Sequence, residues 1–180
     1  MTFRECSFQQ APEILAIFND AILNSTALYD CKERTMAQMT TWFEAKEKGR
    51  LPVIGAFDDT GALCGFASYG PFRPHAAYKY SVEHSIYVRK DCRGQGLGKR
   101  LLKDIIAAAT SQEYHMMIGV IDSMNETSIR LHQQFGFVLC GLIRHAGFKF
   151  GRWLDVELHQ LLLPTPSSPT CNHEQSGSHH

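Results

Sequence analysis

The sequence predicts an α+β fold with a mixed sheet. A glycine-rich turn at residues 93–98 stands between an apolar strand and a helix whose apolar residues recur at helical spacing. Ahead of this turn, residues 53–57 and 62–69 are predicted as the two strands of a hairpin, joined by Asp58-Asp59-Thr60-Gly61. A hairpin followed by alternating strands and helices favours an α+β arrangement.

The elements before the hairpin are predicted in order. Residues 2–6 form a first strand, and Pro12 suits the first turn of the helix that follows. Thr35 and Gln38 match a capping box at the start of a second helix. The first of these helices has one apolar face, made by Ile14, Ile17, Phe18, Ala21 and Ile22.

After the hairpin, strands and helices alternate along the chain. The predicted strands lie at residues 83–88, 116–121, 137–142 and 153–162. The predicted helices lie at residues 99–110 and 125–135. These elements complete one domain at residues 1–163, because a chain of 180 residues suits a single compact core.

The C-terminal residues 164–180 are predicted to be a disordered tail, because they are rich in proline, serine and histidine. The last four residues, Gly177-Ser178-His179-His180, resemble part of a vector tag. We therefore expect the function to reside in residues 1–163.

Composition and charge argue against several classes of protein. Lysine plus arginine and aspartate plus glutamate each total 18, so neither nucleic acid nor an anionic membrane is expected as the main partner. No apolar run approaches the ~20 residues of a membrane span, and the N-terminus lacks the apolar core of a signal peptide. Six cysteines without a C-x-x-C pair suit a reducing cytoplasm, and nine histidines without an H-E-x-x-H motif predict no metal site.

The glycine-rich turn has the chemistry of an anion-binding site. A turn that opens a helix leaves backbone N–H groups unpaired, and the helix dipole adds partial positive charge at the same place. Three glycines let the backbone approach a phosphate without Cβ clashes, and Arg93 adds a permanently charged donor. The turn therefore predicts a phosphorylated cofactor.

Two nucleotide-binding motifs fit this turn poorly. A P-loop requires Ser or Thr after Gly98-Lys99, where this chain has Arg100. The dinucleotide fingerprint G-x-G-x-x-G differs from the G-x-G-x-G spacing that starts at Gly94, although Asp122 follows the next strand as a ribose-binding acid would. A helix-start loop with glycines for turn geometry alone is the remaining alternative.

Three motifs of the chain resemble those of known N-acetyltransferases. Arg93-Gly94-Gln95-Gly96-Leu97-Gly98 resembles the R/Q-x-x-G-x-G/A motif of the GNAT superfamily, and residues 125–137 resemble its N-x-x-A-x-x-L-Y-x-x-x-G-F stretch. Residues 147–155 resemble the G-F-K-x-G-x-W-x-D stretch of phosphinothricin and methionine sulfoximine acetyltransferases. The likeness extends from about Phe3 to Leu163.

The resemblance implies a mostly antiparallel, twisted sheet flanked by helices, with splayed central strands, and acetyl-coenzyme A as co-substrate. In this superfamily the cofactor arm lies along a central strand, and its pyrophosphate binds the glycine-rich turn. Asn125 and Ser128 are expected to contact the pantetheine arm, although both also suit helix N-capping. The other cofactor-binding positions that the resemblance implies are Ile86, Tyr87, Val88, Arg93, Gly94, Gln95, Gly96, Leu97, Gly98 and Lys99.

The resemblance also implies catalytic residues. Glu83 stands where the family has its general base, and either burial or a water relay is needed because an ordinary glutamate is a weak base. Its alternative role is a pair with His84 or Arg144. The backbone N–H of Val88 is expected to bind the thioester oxygen. His132 replaces a tyrosine that is a proposed acid for the thiolate; an imidazolium suits that task, and a structural role is the alternative.

An arginine in a proline-flanked loop is a candidate for substrate recognition. In Pro71-Phe72-Arg73-Pro74, the guanidinium suits bidentate binding of an amino-acid carboxylate, and a solvated loop arginine is the alternative. Tyr29 and Phe72 are candidates for walls of the substrate pocket, or else for core residues. The sequence leaves open whether Lys149, Arg152 and Trp153 shape the same pocket or a dimer edge.

Together these interpretations predict a cytoplasmic enzyme that moves an acetyl group from acetyl-coenzyme A to the amine of a small amino acid, such as phosphinothricin or methionine sulfoximine. Direct transfer in a ternary complex is expected, because no cysteine has an evident base partner. The family suggests a homodimer. Two alternatives remain: an acetyltransferase of protein N-termini, and a non-catalytic acyl-coenzyme A binding module, against which Glu83 argues.

Overall fold

The computed structural model describes residues 1–170, which form a seven-stranded sheet with helices on both faces. The strands are β1 (Thr2–Glu5), β2 (Val53–Phe57), β3 (Leu63–Pro71), β4 (Ser81–Val88), β5 (Met116–Asp122), β6 (Val138–Lys149) and β7 (Arg152–Leu162). The α-helices are α1 (Ala11–Asn24), α2 (Met36–Lys48), α3 (Leu97–Ser111) and α4 (Glu126–Gln133). Across residues 1–170, no helix combines the length and apolar character needed to cross a membrane.

The strand order β1-β2-β3-β4-β5-β7-β6 places β4 and β5 in the middle of the sheet. All neighbouring strands are antiparallel except β4 and β5, which run parallel. Pairing between these two ends at His84 and Gly119, although β4 continues to Val88 and β5 to Asp122. The ends of the central strands therefore separate, and the predicted α+β fold with its mixed, splayed sheet is confirmed.

Two apolar cores hold the helices on opposite faces of the sheet. Because alternate residues of a strand face opposite sides, β3 and β4 contribute to both cores. Tyr69 and Val82 pack with α3 in one core, whereas Phe66 and Tyr87 pack with α1 and α2 in the other. In the second core the rings of Phe18, Phe66 and Tyr87 meet at centroid distances of 5.1 to 5.4 Å. This packing fixes both faces of β4, the strand that carries the predicted base.

The observed elements match the predicted ones, with differences at their ends. The capping box is confirmed, since Gln38 N donates to Thr35 Oγ1 and Thr35 N donates to Gln38 Oε1. Helix α3 begins at Leu97 and not at residue 99, because Gly96, with a φ of 76°, ends the turn in front of it. Helix α4 ends at Gln133, before the predicted residue 135, and Gly136 with a φ of 84° then redirects the chain.

Strand β6 is much longer than the strand predicted at residues 137–142. It continues to Lys149 because it pairs with β7 along most of its length, through register shifts after Leu139 and Ile143. Such shifts disturb the alternation of apolar and polar residues on which a sequence-based strand prediction depends. β6 lies at the edge of the sheet, so one side of this long strand has no neighbouring strand among residues 1–170.

The chain after β7 is described as far as Thr170. Thr165 Oγ1 donates to the carbonyl oxygen of Tyr114 at 2.7 Å, and Thr170 N donates to the hydroxyl oxygen of Tyr80 at 2.9 Å. Residues 171–180, which contain the predicted tag residues, lie outside the described residues. The predicted domain boundary at residue 163 and the disorder beyond it stay predictions.

Candidate active site

A cavity of about 1040 Å³ lies where β4 and β5 separate. Four segments border it: the α1–α2 loop, the end of β4, the glycine-rich turn with the start of α3, and the end of β5 with α4. A second cavity, of about 770 Å³, lies beside α2 and contains none of the predicted site residues. Residues that line the first cavity include Ser25, Leu28, Tyr29, Glu83, His84, Ile86, Tyr87, Val88, Arg93, Gly94, Gly96, Leu97, Gly98, Lys99, Asn125, Ser128 and His132.

The glycine-rich turn faces open space in this cavity. Gly94 and Gly96 have φ values of 78° and 76°, and a Cβ added to either would meet no atom within 4 Å. Arg93 Nε donates to the carbonyl oxygen of Val88 at 3.1 Å, which ties the turn to the end of β4. The first N–H groups of α3 lack acceptors within the helix. The turn therefore has room for an anion close to its backbone. Gln95 is the one residue of 93–99 that does not line the cavity, and anion binding by this turn stays a prediction.

The end of β4 offers its backbone to the cavity. Arg89 N donates to the carbonyl oxygen of Cys64 at 2.8 Å, which marks a hydrogen-bonded pair between β4 and β3. Because such pairs alternate along an antiparallel ladder, the N–H groups of Ile86 and Val88 point away from β3 and toward the gap beside β5. The side chains of Ile86 and Val88 pack against the α3 core, and that of Tyr87 is buried in the other core. These three side chains are core, so the backbone is what a ligand can use.

Glu83 lies in the cavity wall at the start of the gap. Partial burial raises the pKa of its carboxyl group above the ordinary value, and the positive charge of Arg73 acts in the opposite direction. The alternative partners expected from the sequence, His84 and Arg144, are not the groups that act on this pKa. A carboxylate with a raised pKa is a stronger base, which suits removal of a proton from an amine.

His84 and His132 form a buried pair of imidazoles at the point where β4 and β5 separate. Their Nε2 atoms lie 3.1 Å apart, and their ring planes are inclined by only 27°. His132 Nδ1 lies 2.7 Å from the carbonyl oxygen of Ser128, which can only accept, so this nitrogen carries the hydrogen. In the neutral His132, Nε2 is then bare and accepts from His84 Nε2–H. Gly119 makes room for the pair, because a Cβ there would lie 3.1 Å from the His132 ring.

The burial of this pair bears on the acid role predicted for His132. Burial is the largest cause and lowers the pKa of His132, and the hydrogen bond to the Ser128 carbonyl acts in the other direction. Burial also lowers the pKa of His84 to about 3, with His132 as the second cause. Both rings are therefore neutral near pH 7. The acid role, which depends on an imidazolium, stays a prediction that this burial opposes.

The start of α4 combines the two roles that the sequence left open for Asn125 and Ser128. Asn125 Oδ1 accepts a hydrogen bond from Ser128 N at 3.1 Å, so Asn125 is the N-cap of α4. Ser128 holds His132 through its carbonyl oxygen, as described above. Both residues also line the cavity, so capping leaves them available to a ligand.

The loop with Phe72 and Arg73 lies beside the cavity and does not line it. Arg73 is exposed; its Nη1 donates to the carbonyl oxygen of Phe72 at 2.8 Å, and its guanidinium lies over the Phe72 ring. Phe72 also packs edge-on against Tyr78. The positive charge of Arg73 nevertheless acts on the site, because it lowers the pKa of Glu83. Of the three residues predicted to bind substrate with Glu83, only Tyr29 lines the cavity.

Comparison with known proteins accounts for this arrangement. Residues 15–137 match the model of the acetyltransferase (GNAT) family. This chain belongs to the GNAT acetyltransferase family. It is 43% identical to an L-methionine sulfoximine/L-methionine sulfone acetyltransferase of Pseudomonas paraeruginosa, over 93% of this chain and 98% of the relative.

Phosphinothricin acetyltransferases are also similar to this GNAT protein. The enzyme of Alcaligenes faecalis is 34% identical, over 88% of this chain and 81% of the relative. The crystal structure of a GNAT superfamily phosphinothricin acetyltransferase from Sinorhizobium meliloti in complex with acetyl-coenzyme A superimposes with a TM-score of 0.91. The two sequences are 34% identical, and the superposition covers 96% of this chain and 94% of the Sinorhizobium meliloti chain.

Three features of this GNAT site were not predicted from the sequence. His84 meets His132 across 48 residues, and no spacing along the chain indicates that pairing. Residues 25–28 line the cavity from a loop without a motif. Lys149, for which two roles were left open, is buried and donates from Nζ to the carbonyl oxygens of Ser25 and Leu28. The G-F-K stretch drew attention to Lys149 but did not indicate its contact with this loop.

The remaining polar groups of the GNAT site have structural partners. The buried Asp122 accepts a hydrogen bond from Met124 N at 3.0 Å, and Arg152 Nη2 lies 3.6 Å from its carboxylate. Trp153 is exposed and stacks on His145. Within residues 1–170, no group of three or more His, Cys, Asp or Glu side chains is arranged to hold a metal ion.

Proposed function

We propose that this protein transfers the acetyl group of acetyl-coenzyme A to the amine of a small amino acid such as methionine sulfoximine or phosphinothricin. The observation that carries the proposal is the cavity between β4 and β5, which has an open glycine-rich turn on one side and Glu83 on another. The similarity to methionine sulfoximine and phosphinothricin acetyltransferases supports this class of substrate.

Binding of acetyl-coenzyme A is assigned to residues 93–99, to the backbone of β4 and to the start of α4. The unpaired N–H groups of the turn and the Arg93 guanidinium suit the pyrophosphate. The gap beside Ile86 and Val88 suits an extended pantetheine arm that adds to the edge of β4. Asn125 and Ser128 close this side of the cavity.

The acetyl group moves in one direct step. Glu83 accepts a proton from the ammonium of the substrate, directly or through water, and the neutral nitrogen attacks the thioester carbonyl. The Val88 N–H donates to the carbonyl oxygen as negative charge develops there. An amide C–N bond forms as the C–S bond breaks. The nitrogen gives up the second proton that it carries after the attack, and the departing thiolate takes up one proton, so that free coenzyme A leaves.

Arg73 is our candidate for recognition of the substrate carboxylate. Its charge acts on Glu83, and its guanidinium lies on an exposed loop next to the cavity, free to pair with an anion from solvent. An amino acid held between Arg73 and Glu83 presents its carboxylate to one and its amine to the other. The wall formed by Tyr29 limits the size of the side chain.

We also propose a homodimer in the cytoplasm. The edge strand β6 and its neighbour β7 expose a group of apolar side chains: Val138, Leu139, Leu142, Ile143, Phe148 and Trp153. Exposed apolar side chains along a long edge strand are typical of a protein–protein interface, and a second copy of the chain is the proposed partner. The five cysteines among residues 1–170 are free thiols, as expected in a reducing compartment.

The test is coenzyme A release from the wild-type enzyme with a panel of amines. Methionine sulfoximine and phosphinothricin are expected to be acetylated, and the decarboxylated analogue of methionine sulfoximine is expected to react at least about tenfold less efficiently, because it lacks the charge-assisted bonds to a carboxylate. Preference for peptides with a free N-terminus would show an enzyme of protein N-termini. Acetyl-coenzyme A binding without release of thiol for any amine would show a binding module.

A further inference from the structure

The α1–α2 loop, residues 25–35, forms one wall of the candidate active site and contains neither helix nor strand. Its end next to α2 is held by Asn19, which accepts a hydrogen bond from Arg34 N at 2.8 Å and donates one to the carbonyl oxygen of Arg34 at 3.1 Å. The part that lines the cavity, Ser25 to Tyr29, is contacted instead by β6, the edge strand of the sheet.

Lys149, the last residue of β6, holds two backbone carbonyls of this loop. Its Nζ donates to Ser25 O at 2.9 Å and to Leu28 O at 2.7 Å. Only 7% of the residue is exposed, and a buried ammonium is costly unless its hydrogen bonds are made. The two bonds therefore fix the positions of Ser25 and Leu28 relative to β6.

Gly147 acts on the same loop from the same face of β6, since residues two apart on a strand point to the same side. A Cβ on Gly147 would lie 2.7 Å from Cδ2 and 2.8 Å from Cε2 of Tyr29, so this ring packs directly against the strand backbone. Phe148, between them, faces the other way and packs on Trp153. Only a glycine leaves room for Tyr29 in its observed position.

We infer that Gly147 and Lys149 are positioning residues that hold the α1–α2 loop in the form that binds the amine substrate. The inference rests on the proposed function and adds two residues that determine the affinity of the enzyme for its amine substrate. Neither residue lines the cavity, so both act through Ser25, Leu28 and Tyr29, which do. Acetyl-coenzyme A is assigned to the opposite side, and its affinity is expected to be independent of this contact. The Lys149 ammonium gives two of its three donors to these carbonyls and does not line the cavity, so we do not assign it to the substrate carboxylate.

Replacement of Lys149 tests the inference. Lys149→Met keeps the length of the side chain and removes its donors, so KM for methionine sulfoximine is expected to rise at least about tenfold, with partial recovery in Lys149→Arg. The Kd of acetyl-coenzyme A, measured by calorimetry, is expected to stay within about twofold. Amide hydrogen exchange at residues 25–31 is expected to become faster in Lys149→Met.

Lys46→Met is the matched control. Lys46 is partly buried and, like Lys149, donates from Nζ to a backbone carbonyl, here that of Tyr69 at 2.7 Å. Its replacement removes the same charge and the same kind of bond at a place that does not touch residues 25–31. Exchange at residues 25–31 and KM for the amine are expected to match the wild type in this control.

Gly147→Ala is a second, independent variant, since its Cβ must displace Tyr29. Gly141→Ala, on the same strand, is its control, because a Cβ there meets only Leu158 Cδ1, at 3.9 Å. KM for the amine is expected to rise in Gly147→Ala and to stay unchanged in Gly141→Ala.

Unchanged KM and unchanged exchange in both Lys149→Met and Gly147→Ala would overturn the inference, as would an equal loss of acetyl-coenzyme A affinity. Failure of the proposed function looks different: the wild type itself would acetylate no small amino acid. Amide hydrogen exchange at residues 25–31 can be measured without catalysis. If Lys149→Met exchanged at the wild-type rate there, the proposed role of Lys149 in holding the loop would be wrong even without an activity assay.

Discussion

Glu83 and His84 are neighbours on β4, and they face opposite sides of the sheet. Glu83 is partly buried beside Arg73, and its raised pKa makes it a stronger base. His84 is buried against His132 and Phe137, and its pKa is lowered to about 3. At this scale, burial is the largest cause in both cases: it gives one residue the properties of a general base and keeps the other uncharged.

Replacement of Glu83 by glutamine is expected to slow acetyl transfer by about 10² to 10⁴-fold, the usual cost of a lost general base. The base works only when ionised, so wild-type kcat/KM rises as pH increases through the raised pKa of Glu83. In Glu83→Gln this rise at acidic pH, the acidic limb of the pH profile, is expected to disappear, while calorimetry is expected to give wild-type affinity for acetyl-coenzyme A. Full activity of the variant with an unchanged acidic limb would show that solvent takes the proton.

Arg73→Ala tests whether the titration of Glu83 causes the acidic limb of the pH profile. The positive charge of Arg73 lowers the pKa of Glu83, so its removal is expected to move the acidic limb to higher pH. A limb that stays in place would mean that a group other than Glu83 titrates.

The buried His84 is expected to make the fold sensitive to acid. Its pKa is about 3 in the folded protein and about 6.5 in an unfolded chain, so between these values the unfolded state binds more protons. The free energy of unfolding therefore falls as pH drops from 6.5 toward 3. His84→Gln keeps a polar side chain that does not titrate. Urea unfolding at pH 7.0 and 4.5 is expected to show a smaller loss of stability in His84→Gln than in the wild type, and equal losses would assign the acid sensitivity to other groups.

At the scale of elements, the turn before α3 is shaped by backbone conformation. Gly94 and Gly96 both adopt positive φ values, a region that other residues avoid, and both face open space. An anion can approach the first N–H groups of α3 only because no side chain projects from these two positions. A substitution at either glycine adds backbone strain and also restricts the access of an anion to the turn, so a control variant is needed to separate the two effects.

Gly96→Ala and Gly61→Ala separate strain from access. Gly61, in the turn between β2 and β3, has a φ of 86° and equally open surroundings, but it does not line the cavity. Each variant is expected to lose about 1 kcal/mol of stability, the cost of an alanine in the left-handed region. Only Gly96→Ala is expected to lose acetyl-coenzyme A affinity, by about tenfold or more in calorimetry, because its Cβ enters the space assigned to the pyrophosphate. Equal affinities in the two variants would remove the turn from the binding site.

At the scale of the whole molecule, the sheet formed by residues 1–170 has two open edges, and these edges differ. β1 is a short edge strand of four residues, whereas β6 extends over 12 residues and is exposed along most of its length. Long apolar edge strands are usually covered in a stable protein. A second copy of the chain, seated on β6 and β7, is the covering that we propose.

Ile143→Lys is expected to dissociate this dimer. A lysine within the proposed apolar interface leaves a buried, unpaired charge, which destabilises such an interface. Sedimentation is expected to give a dimer for the wild type and a monomer for Ile143→Lys. Leu23→Lys, at an exposed leucine of α1 outside the proposed interface, is expected to remain a dimer. A wild type that sediments as a monomer, or an Ile143→Lys dimer, would contradict the proposed interface.

The sequence by itself determined the types of the elements, the capping box at Thr35, the glycine-rich turn and the position of Glu83 on a strand. These features depend on residues close together in the chain, where periodicity, turn chemistry and motif spacing act. The ends of elements were less well determined, since β6 continues through register shifts that hide its alternation.

Only the tertiary structure decided which distant segments meet. His84 and His132 are 48 residues apart, and Lys149 and Ser25 are 124 apart, yet each pair is in hydrogen-bond contact. The same holds for the burial that shifts the pKa values of Glu83 and His84 in opposite directions. Such contacts depend on how the strands order themselves in the sheet and how the loops pack on it. No local pattern in the chain encodes that packing, because it is settled by the free energy of the whole fold.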